Sequence, residues 1–181
     1  MIIIDNFLNE DQWSKFTYEG LWYKPKTYHW FGMDQPPRNV WDEIAFHIWS
    51  YVDSRGYVDL GGFDGIEHWT NIMTPDGDAD LPLHYDKDEY LWRETGEVRV
   101  PKIGSVLYGH DEQPTGGYLE MIDENGVSER IAPIPNRLII FPSGLPHQVT
   151  ETTSGIRKVF ATNIWTDTVS YTHLTLPTTP Y

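Results

Sequence analysis

Apolar positions along this chain fall into two textures. In the first, Trp41, Ile44, Ala45, Ile48, Trp49 and Val52 recur at three- and four-residue intervals, the spacing of one buried helix stripe. Asn39, just after the Pro36-Pro37 break, can cap that helix. Upstream, Ile2 to Ile4 reads as a short strand ending in a turn. Asn9 is a candidate N-cap, and Glu10 and Asp11 open a helix predicted to run to about Thr17. Leu21 to Phe31 is aromatic and partly alternating, which predicts another strand. From Gly61 onward the texture changes to short apolar runs punctuated by Gly, Pro, Asn and Asp. They predict strands over Ile66–Met73, Leu81–Asp86, Ile103–Tyr108, Gly117–Ile122, Val127–Ile131, Arg137–Phe141, His147–Glu151 and Ile156–Trp165. Asn125-Gly126 marks a hairpin between the fourth and fifth. Many short strands at near-regular spacing, without helical patterning between them, predict a sandwich or jelly roll. The fold class expected is therefore mainly β with N-terminal helices, an α+β chain. The polar stretch Lys87–Lys102 interrupts the strands and reads as a long loop, a candidate lid.

Composition narrows the picture. A chain of 181 residues with 39% hydrophobic and 14% aromatic content can bury a substantial core. The expected organisation is one domain over 1–168, with a helical part over 1–60 and a jelly-roll core over 61–168. The tail, 169–181, is expected to be non-native or disordered: Ser170–Tyr181 is Thr/Pro-rich, looks like translated adapter read-through, and is set aside together with His173. Lys and Arg number 13 against 27 acidic residues, a formal charge of -14, which disfavours nucleic acid and anionic membranes as partners. An anionic ligand must then be captured by a local cation. The absence of cysteine rules out disulfides, thiolate metal sites and a thiol nucleophile. No leader or membrane-spanning run is legible at the start, so the expected location is cytoplasmic, in a microbe or phage-infected host cell.

The candidate chemistry begins at Leu81-Pro82-Leu83-His84-Tyr85-Asp86. If this stretch is a strand, His84 and Asp86 share a face. One imidazole and one carboxylate are two thirds of a 2-His-1-carboxylate site, which holds Fe(II) and leaves positions open. The missing imidazole is His147, after the Pro142-Ser143-Gly144 turn. Ten residues later comes Arg157. If Thr152 to Gly155 form a hairpin turn, Arg157 lies across from His147 and points into the same cavity. A guanidinium offers paired planar donors and stays charged, which suits a carboxylate. An ion pair with one of the protein's own acids is the competing assignment for Arg157.

With these residues in place, the sequence resembles the Fe(II)/2-oxoglutarate-dependent oxygenases, most closely the prolyl 4-hydroxylase-like branch, as a small single-domain member of metagenomic or phage type. The resemblance runs from about Ile66 to Trp165. It is carried by His84-x-Asp86, Gly116-Gly117-x-Leu119, Arg137-Leu138-Ile139-Ile140-Phe141-Pro142, His147 and Arg157. It implies a double-stranded β-helix, with His84, Asp86 and His147 as metal ligands. Arg157 would bind the co-substrate's distal carboxylate, and Tyr108 sits where that branch has a tyrosine on the same carboxylate, a core tyrosine with a satisfied hydroxyl being the competing assignment. Fe(II), 2-oxoglutarate and O2 are the implied cofactors and co-substrates, with ascorbate as an accessory reductant. The implied reaction hydroxylates a C–H bond of a peptidyl or free amino acid, proline first, and releases succinate and CO2.

Several alternatives are weighed against this. A non-catalytic cupin-like metal- or sugar-binding module has no need of Arg157. The nucleic-acid demethylase branch carries a second Arg, absent from Arg157-Lys158-Val159-Phe160-Ala161-Thr162-Asn163. A halogenase would have vacated the carboxylate position held by Asp86. Asp88 and Glu89 read as a solvated acidic run, with Asp88 a ligand only under another strand register. His47 lies off the helix stripe and reads as a surface residue. His29, His68 and His110 are unassigned. The partner expected is a small molecule or peptide, and the loops Trp22–Pro37 and Lys87–Lys102 are where its identity would be chosen.

Overall fold

The computed structural model describes residues 1–22, 28–32 and 34–166. The first strand, β1 (Ile2–Ile4), leads through Asp5–Leu8 into α1 (Glu10–Phe16). The Asn9 side chain accepts from the Gln12 N–H at 3.0 Å and the Gln12 side chain accepts from the Asn9 N–H, a reciprocal capping box. A short α2 (Glu19–Trp22) follows, and β2 (His29–Gly32) ends the aromatic stretch. The strand expected over Leu21–Phe31 is thus helical at its start and extended at its end. Its middle, 23–27, lies outside the described residues, as does the tail beyond residue 166. Burial decides the helical start: Trp22 seats its ring against Phe16 and Trp41, and its indole N–H donates to the Phe16 carbonyl at 2.7 Å.

Helix α3 (Val40–Ser54) is capped by Asn39, whose side chain accepts from the Asp42 N–H. Ile44, Ala45, Ile48, Trp49 and Val52 are buried as their spacing requires. His47 is half-buried against the Phe7 ring at 5.1 Å, not on the free surface, and burial lowers its pKa. Then come β3 (Gly65–Met73), β4 (Leu81–His84), α4 (Glu89–Thr95), β5 (Ile103–Tyr108), β6 (Thr115–Gly116), β7 (Leu119–Asp123) and β8 (Gly126–Ile131). The last four strands are β9 (Leu138–Phe141), β10 (His147–Val149), β11 (Thr152–Ser154) and β12 (Arg157–Trp165).

A six-stranded sheet has the order β1-β9-β5-β12-β3-β2, and a four-stranded sheet the order β4-β10-β7-β8. All pairings are antiparallel, with β6 and β11 forming a small separate pair. Helices cover one face of the large sheet, where Leu107, Leu138, Ile140, Phe160 and Ile164 meet Phe16, Trp22, Ile48 and Trp49. Its other face meets the small sheet through Val106, Ile139, Phe141, Val149, Val159 and Ala161. Burial on both faces explains why β9 reads as a continuous apolar run and β5 nearly so, instead of alternating. The architecture is a double-stranded β-helix with helices packed on its larger sheet.

Period two sorts β12 between these layers. Phe160, Thr162 and Ile164 face the helices, where Thr162 accepts from the Trp49 indole at 3.0 Å. Arg157, Val159, Ala161 and Asn163 face the space between the sheets.

Candidate metal centre

The ladder between β4 and β10 sets His84 directly opposite His147, with ring centroids 4.3 Å apart. Each imidazole is oriented by the same local device. His84 Nδ1 lies 2.8 Å from the Pro82 carbonyl and His147 Nδ1 2.8 Å from the Leu145 carbonyl. A carbonyl can only accept, so each ring carries its proton on Nδ1 and presents the Nε2 lone pair outward. Burial lowers the His147 pKa, and the neighbouring His84 acts the same way against the pull of Asp86.

Asp86 reaches the pair by a route other than strand alternation. Strand β4 ends at His84, and the chain then follows the turn after β9: the Asp86 N–H donates to the Ser143 carbonyl at 2.9 Å. This places Asp86 Oδ1 3.9 Å from His84 Nε2. One donor atom from each of His84, Asp86 and His147 lies within 4.8 Å of the others. Two neutral imidazoles and a carboxylate suit Fe(II), and the three residues fit that ion as a donor set.

Arg157 also arrives by a different path from the expected hairpin. Strand β10 belongs to the small sheet and β12 to the large one, and residues 150–156 carry the chain across. The cross-strand neighbour of Arg157 is Met73, not His147. Arg157 and His147 therefore face each other across the sandwich, lining one cavity of about 500 Å³, open mouth included, together with His84, Asp86, Asn71 and Asn163. Arg157 is 2% exposed. Its Nε donates to the Gly117 carbonyl at 2.9 Å, and its guanidinium lies 5.2 Å over the Tyr108 ring. No carboxylate pairs with it among the described residues, which removes the competing ion-pair assignment. Burial lowers its pKa and Tyr108 opposes that shift, while burial raises the pKa of Tyr108 itself.

Among the described residues, Tyr108 Oη, Thr152 Oγ1 and Asn71 Oδ1 in this part of the protein are buried polar atoms without a hydrogen-bond partner. Thr152 and Arg157 are close neighbours, because a Cβ built on Gly117 would lie 2.9 Å from Thr152 Oγ1 and 2.7 Å from Arg157 Cδ. Asn71 lines the cavity and Tyr108 and Thr152 flank Arg157 behind it, so polar atoms without partners surround a cation that no described carboxylate neutralises, an arrangement suited to an anion with several acceptors.

The stretch from residue 69 to residue 166 matches the family model of the 2OG-Fe(II) oxygenase superfamily. The chain belongs to that superfamily. It is a 2-oxoglutarate- and Fe(II)-dependent oxygenase, with Fe(II) and 2-oxoglutarate as its cofactor and co-substrate. Curated protein sequences give no match. Among solved structures, a prolyl-4-hydroxylase from Pseudomonas putida is 19% identical, with 91% of each chain covered and a TM-score of 0.62. The viral collagen prolyl hydroxylase of Paramecium Bursaria Chlorella virus-1, in a 2OG complex, is 17% identical, with 91% of this chain and 94% of that one covered and a TM-score of 0.57. HygX from Streptomyces hygroscopicus, with nickel and 2-oxoglutarate bound, is 14% identical, covering 91% of this chain and 81% of its own at a TM-score of 0.60. At these identities the likeness is one of fold.

The remaining residues singled out in the sequence of this oxygenase find other places. Asp88 is not solvated: it is fully buried, its carboxylate caps α4 by accepting from the Leu91 N–H at 2.9 Å, and its N–H donates to the Arg99 carbonyl. Glu89 pairs with Lys87 at 2.8 Å. Lys87 Nζ also sits 4.9 Å from the Tyr85 ring and 4.7 Å from the Trp92 ring, so the segment read as a loop is folded around a cation. His68 Nε2 donates to Asp42 Oδ1 at 2.8 Å on the helix side, and His29 stacks on it. His110 is buried between the Pro133 carbonyl and the Lys158 N–H. Thr152, Asn71, Ser143 and Asn163 escape the sequence reading. Only Ser143 carried a local signal, its place in the turn before His147.

Among the described residues no helix is long and apolar enough to cross a membrane.

Proposed function

We propose that this oxygenase hydroxylates a C–H bond of a peptidyl or free amino acid, with proline the first candidate. In this reading His84, Asp86 and His147 hold the iron, and Arg157 with Tyr108 takes the distal carboxylate of 2-oxoglutarate. Thr152 lies close enough to Arg157 to add a third donor. The observation that carries the reading is Arg157, a fully buried cation without a carboxylate partner among the described residues, lining the same cavity as the three donors. A non-catalytic binding module would leave that charge buried for no return, at a cost of several kcal/mol.

Bound iron would supply O2 activation and the decarboxylation of 2-oxoglutarate to succinate and CO2, coupled to insertion of one oxygen atom into the substrate. The protein's own residues do the rest. The Pro82 and Leu145 carbonyls hold the Nδ1 protons of His84 and His147, so that Nε2 is the nitrogen each ring offers to a metal. Arg157, buried among Met73, Tyr108 and Val159, pairs with a carboxylate in a site that excludes water, where the pairing is strongest. The proline assignment draws on the fold neighbours, among them the Pseudomonas putida prolyl-4-hydroxylase and a Trichoplax adhaerens prolyl hydroxylase in complex with a peptide fragment.

A turnover screen over proline-containing peptides and free amino acids tests it. Succinate should form only with Fe(II) and 2-oxoglutarate present, and one substrate class should gain the mass of one oxygen. Undiminished turnover by His84→Ala would overturn the ligand assignment. Products carrying no added oxygen would overturn hydroxylation.

A further inference from the structure

We propose that Asn163 is a positioning residue that fixes the Asp86 carboxylate, one oxygen toward the metal and the other tied back to the protein. This rests on the reading of Asp86 as a metal ligand. Asn163 lies on the cavity face of β12 and is 2% exposed. Its Nδ2 donates to Asp86 Oδ2 at 3.1 Å, and its Oδ1 accepts from the Ser143 hydroxyl at 2.9 Å. A carboxylate cannot donate, so the amide nitrogen must face Asp86, and the hydroxyl of Ser143 must then be the donor at the other end. Ser143 is fully buried and grips Asp86 a second time, its carbonyl accepting the Asp86 N–H. The same residue thus anchors the ligand's backbone and orders the amide that holds the ligand's side chain.

The surrounding packing is shaped for this arrangement. A Cβ on Gly104 would lie 2.6 Å from Asn163 Oδ1 and 2.8 Å from Ser143 Oγ, so a side chain there would break the link between them. On the far side Asn163 is paired in register with Glu67, whose carboxylate accepts from the Trp165 indole at 3.0 Å. The amide therefore sits in a rigid strand, held from both flanks.

The consequence concerns coordination number. With Oδ2 engaged by Asn163, only Oδ1, the oxygen 3.9 Å from His84 Nε2, is free to bind an ion. Asp86 then occupies one coordination position. Without the amide, Oδ2 can turn inward, and a chelating Asp86 would take a position that the co-substrate or O2 requires.

The test uses the full-length apoprotein with Co(II), which needs no turnover. Calorimetry gives the affinity, and the visible absorption of the bound ion reports its coordination number. Asn163→Ala is expected to weaken Co(II) binding by about 10- to 100-fold and to change the band intensities, while Ser143→Ala moves both in the same direction by less. Circular dichroism establishes that each variant is folded; if Asn163→Ala is not, Ser143→Ala decides. Affinity and spectrum unchanged from wild type in the deciding variant overturn the proposal. Asp86→Ala separates the two readings: if it binds Co(II) as well as wild type, the ligand assignment has failed. If it abolishes binding while the Asn163 variant is indistinguishable from wild type, only the positioning role has failed.

Discussion

Gly117 has a φ of +65° and no room for even one carbon beside Arg157 and Thr152. Its carbonyl also holds Arg157 Nε. Gly117→Ala should therefore displace the guanidinium and raise the KM for 2-oxoglutarate by about tenfold or more, with a stability loss on the order of 1–2 kcal/mol. Co(II) affinity, set at the other end of the cavity, should stay within a few-fold of wild type. A variant whose Co(II) affinity falls as far as its co-substrate binding would contradict this separation. Glu67 supplies a second residue-scale test. Burial, and then the Asp86 charge, push its pKa up to about 8, against hydrogen bonds from Trp165 and Asn163. The folded state thus retains a proton that the unfolded chain, near 4.5, releases, so this group's contribution to stability falls as pH rises from about 4.5 to about 8. In metal-free protein Glu67→Gln should raise Tm at pH 8 and leave it nearly unchanged near pH 4.5; equal shifts at both would refute the assignment. His84, Asp86, His147 and Arg157 could be singled out in the sequence as candidates because few residue types do the chemistry proposed for them. Asn163 and Thr152 could not, since amides and hydroxyls are common and only their neighbours in space suggest a role.

At the scale of elements, the unexpected piece is α4. Its stretch Glu89–Thr95 has Leu91 and Trp92 as its apolar residues besides an exposed Tyr90, too few for a stripe to be read against the surrounding polar positions. Its ends are nonetheless specified, by Asp88 at the N-terminus and by Gly96 in the left-handed region at φ +77°. The cation–aromatic cluster of Lys87, Tyr85 and Trp92 then ties the helix to the residues flanking Asp86. Asp88→Ala removes the side-chain cap and leaves the backbone bond to the Arg99 carbonyl in place. It should cost about 1–2 kcal/mol and speed hydrogen exchange over residues 88–96 ahead of the sheets. Uniform acceleration across the protein would show that the segment does not open by itself. The strands of the jelly roll were legible to within a residue or two at most ends, because their apolar runs are long and bounded by turn residues. The mistaken hairpin between His147 and Arg157 has a physical origin: a ten-residue spacing fits a local turn and a crossing between sheets equally well. Nothing in residues 150–156 states that Thr152–Ser154 pairs instead with Thr115–Gly116.

For the whole molecule, the two faces of the large sheet divide the labour. The helix side holds the aromatic cluster of Phe16, Trp22, Trp41 and Phe160, and the far side holds the cavity. The N-terminal strand closes the edge of that sheet beside β9, fastened by Arg137 to Asp5 at 2.5 and 2.9 Å and by Asn136 to both backbone groups of Leu8. Such edge closure matters because β9 is wholly apolar and would otherwise offer a free edge for pairing with other chains.

The passage of residues 150–156 from one sheet to the other has a mechanical consequence. His84 and His147 ride on the small sheet and Arg157 on the large one, so a dianion gripped at both ends would act as a cross-tie between the two halves of the sandwich. The metal and 2-oxoglutarate should then stabilise more than either alone, by about 2.7 kcal/mol beyond the metal-bound protein at a 2-oxoglutarate concentration of 100 times its Kd. Hydrogen exchange should slow first at β4 and β10, where the small sheet would otherwise peel away. Thermal shifts that are no larger together than apart would mean that the two sheets are not being held by one molecule.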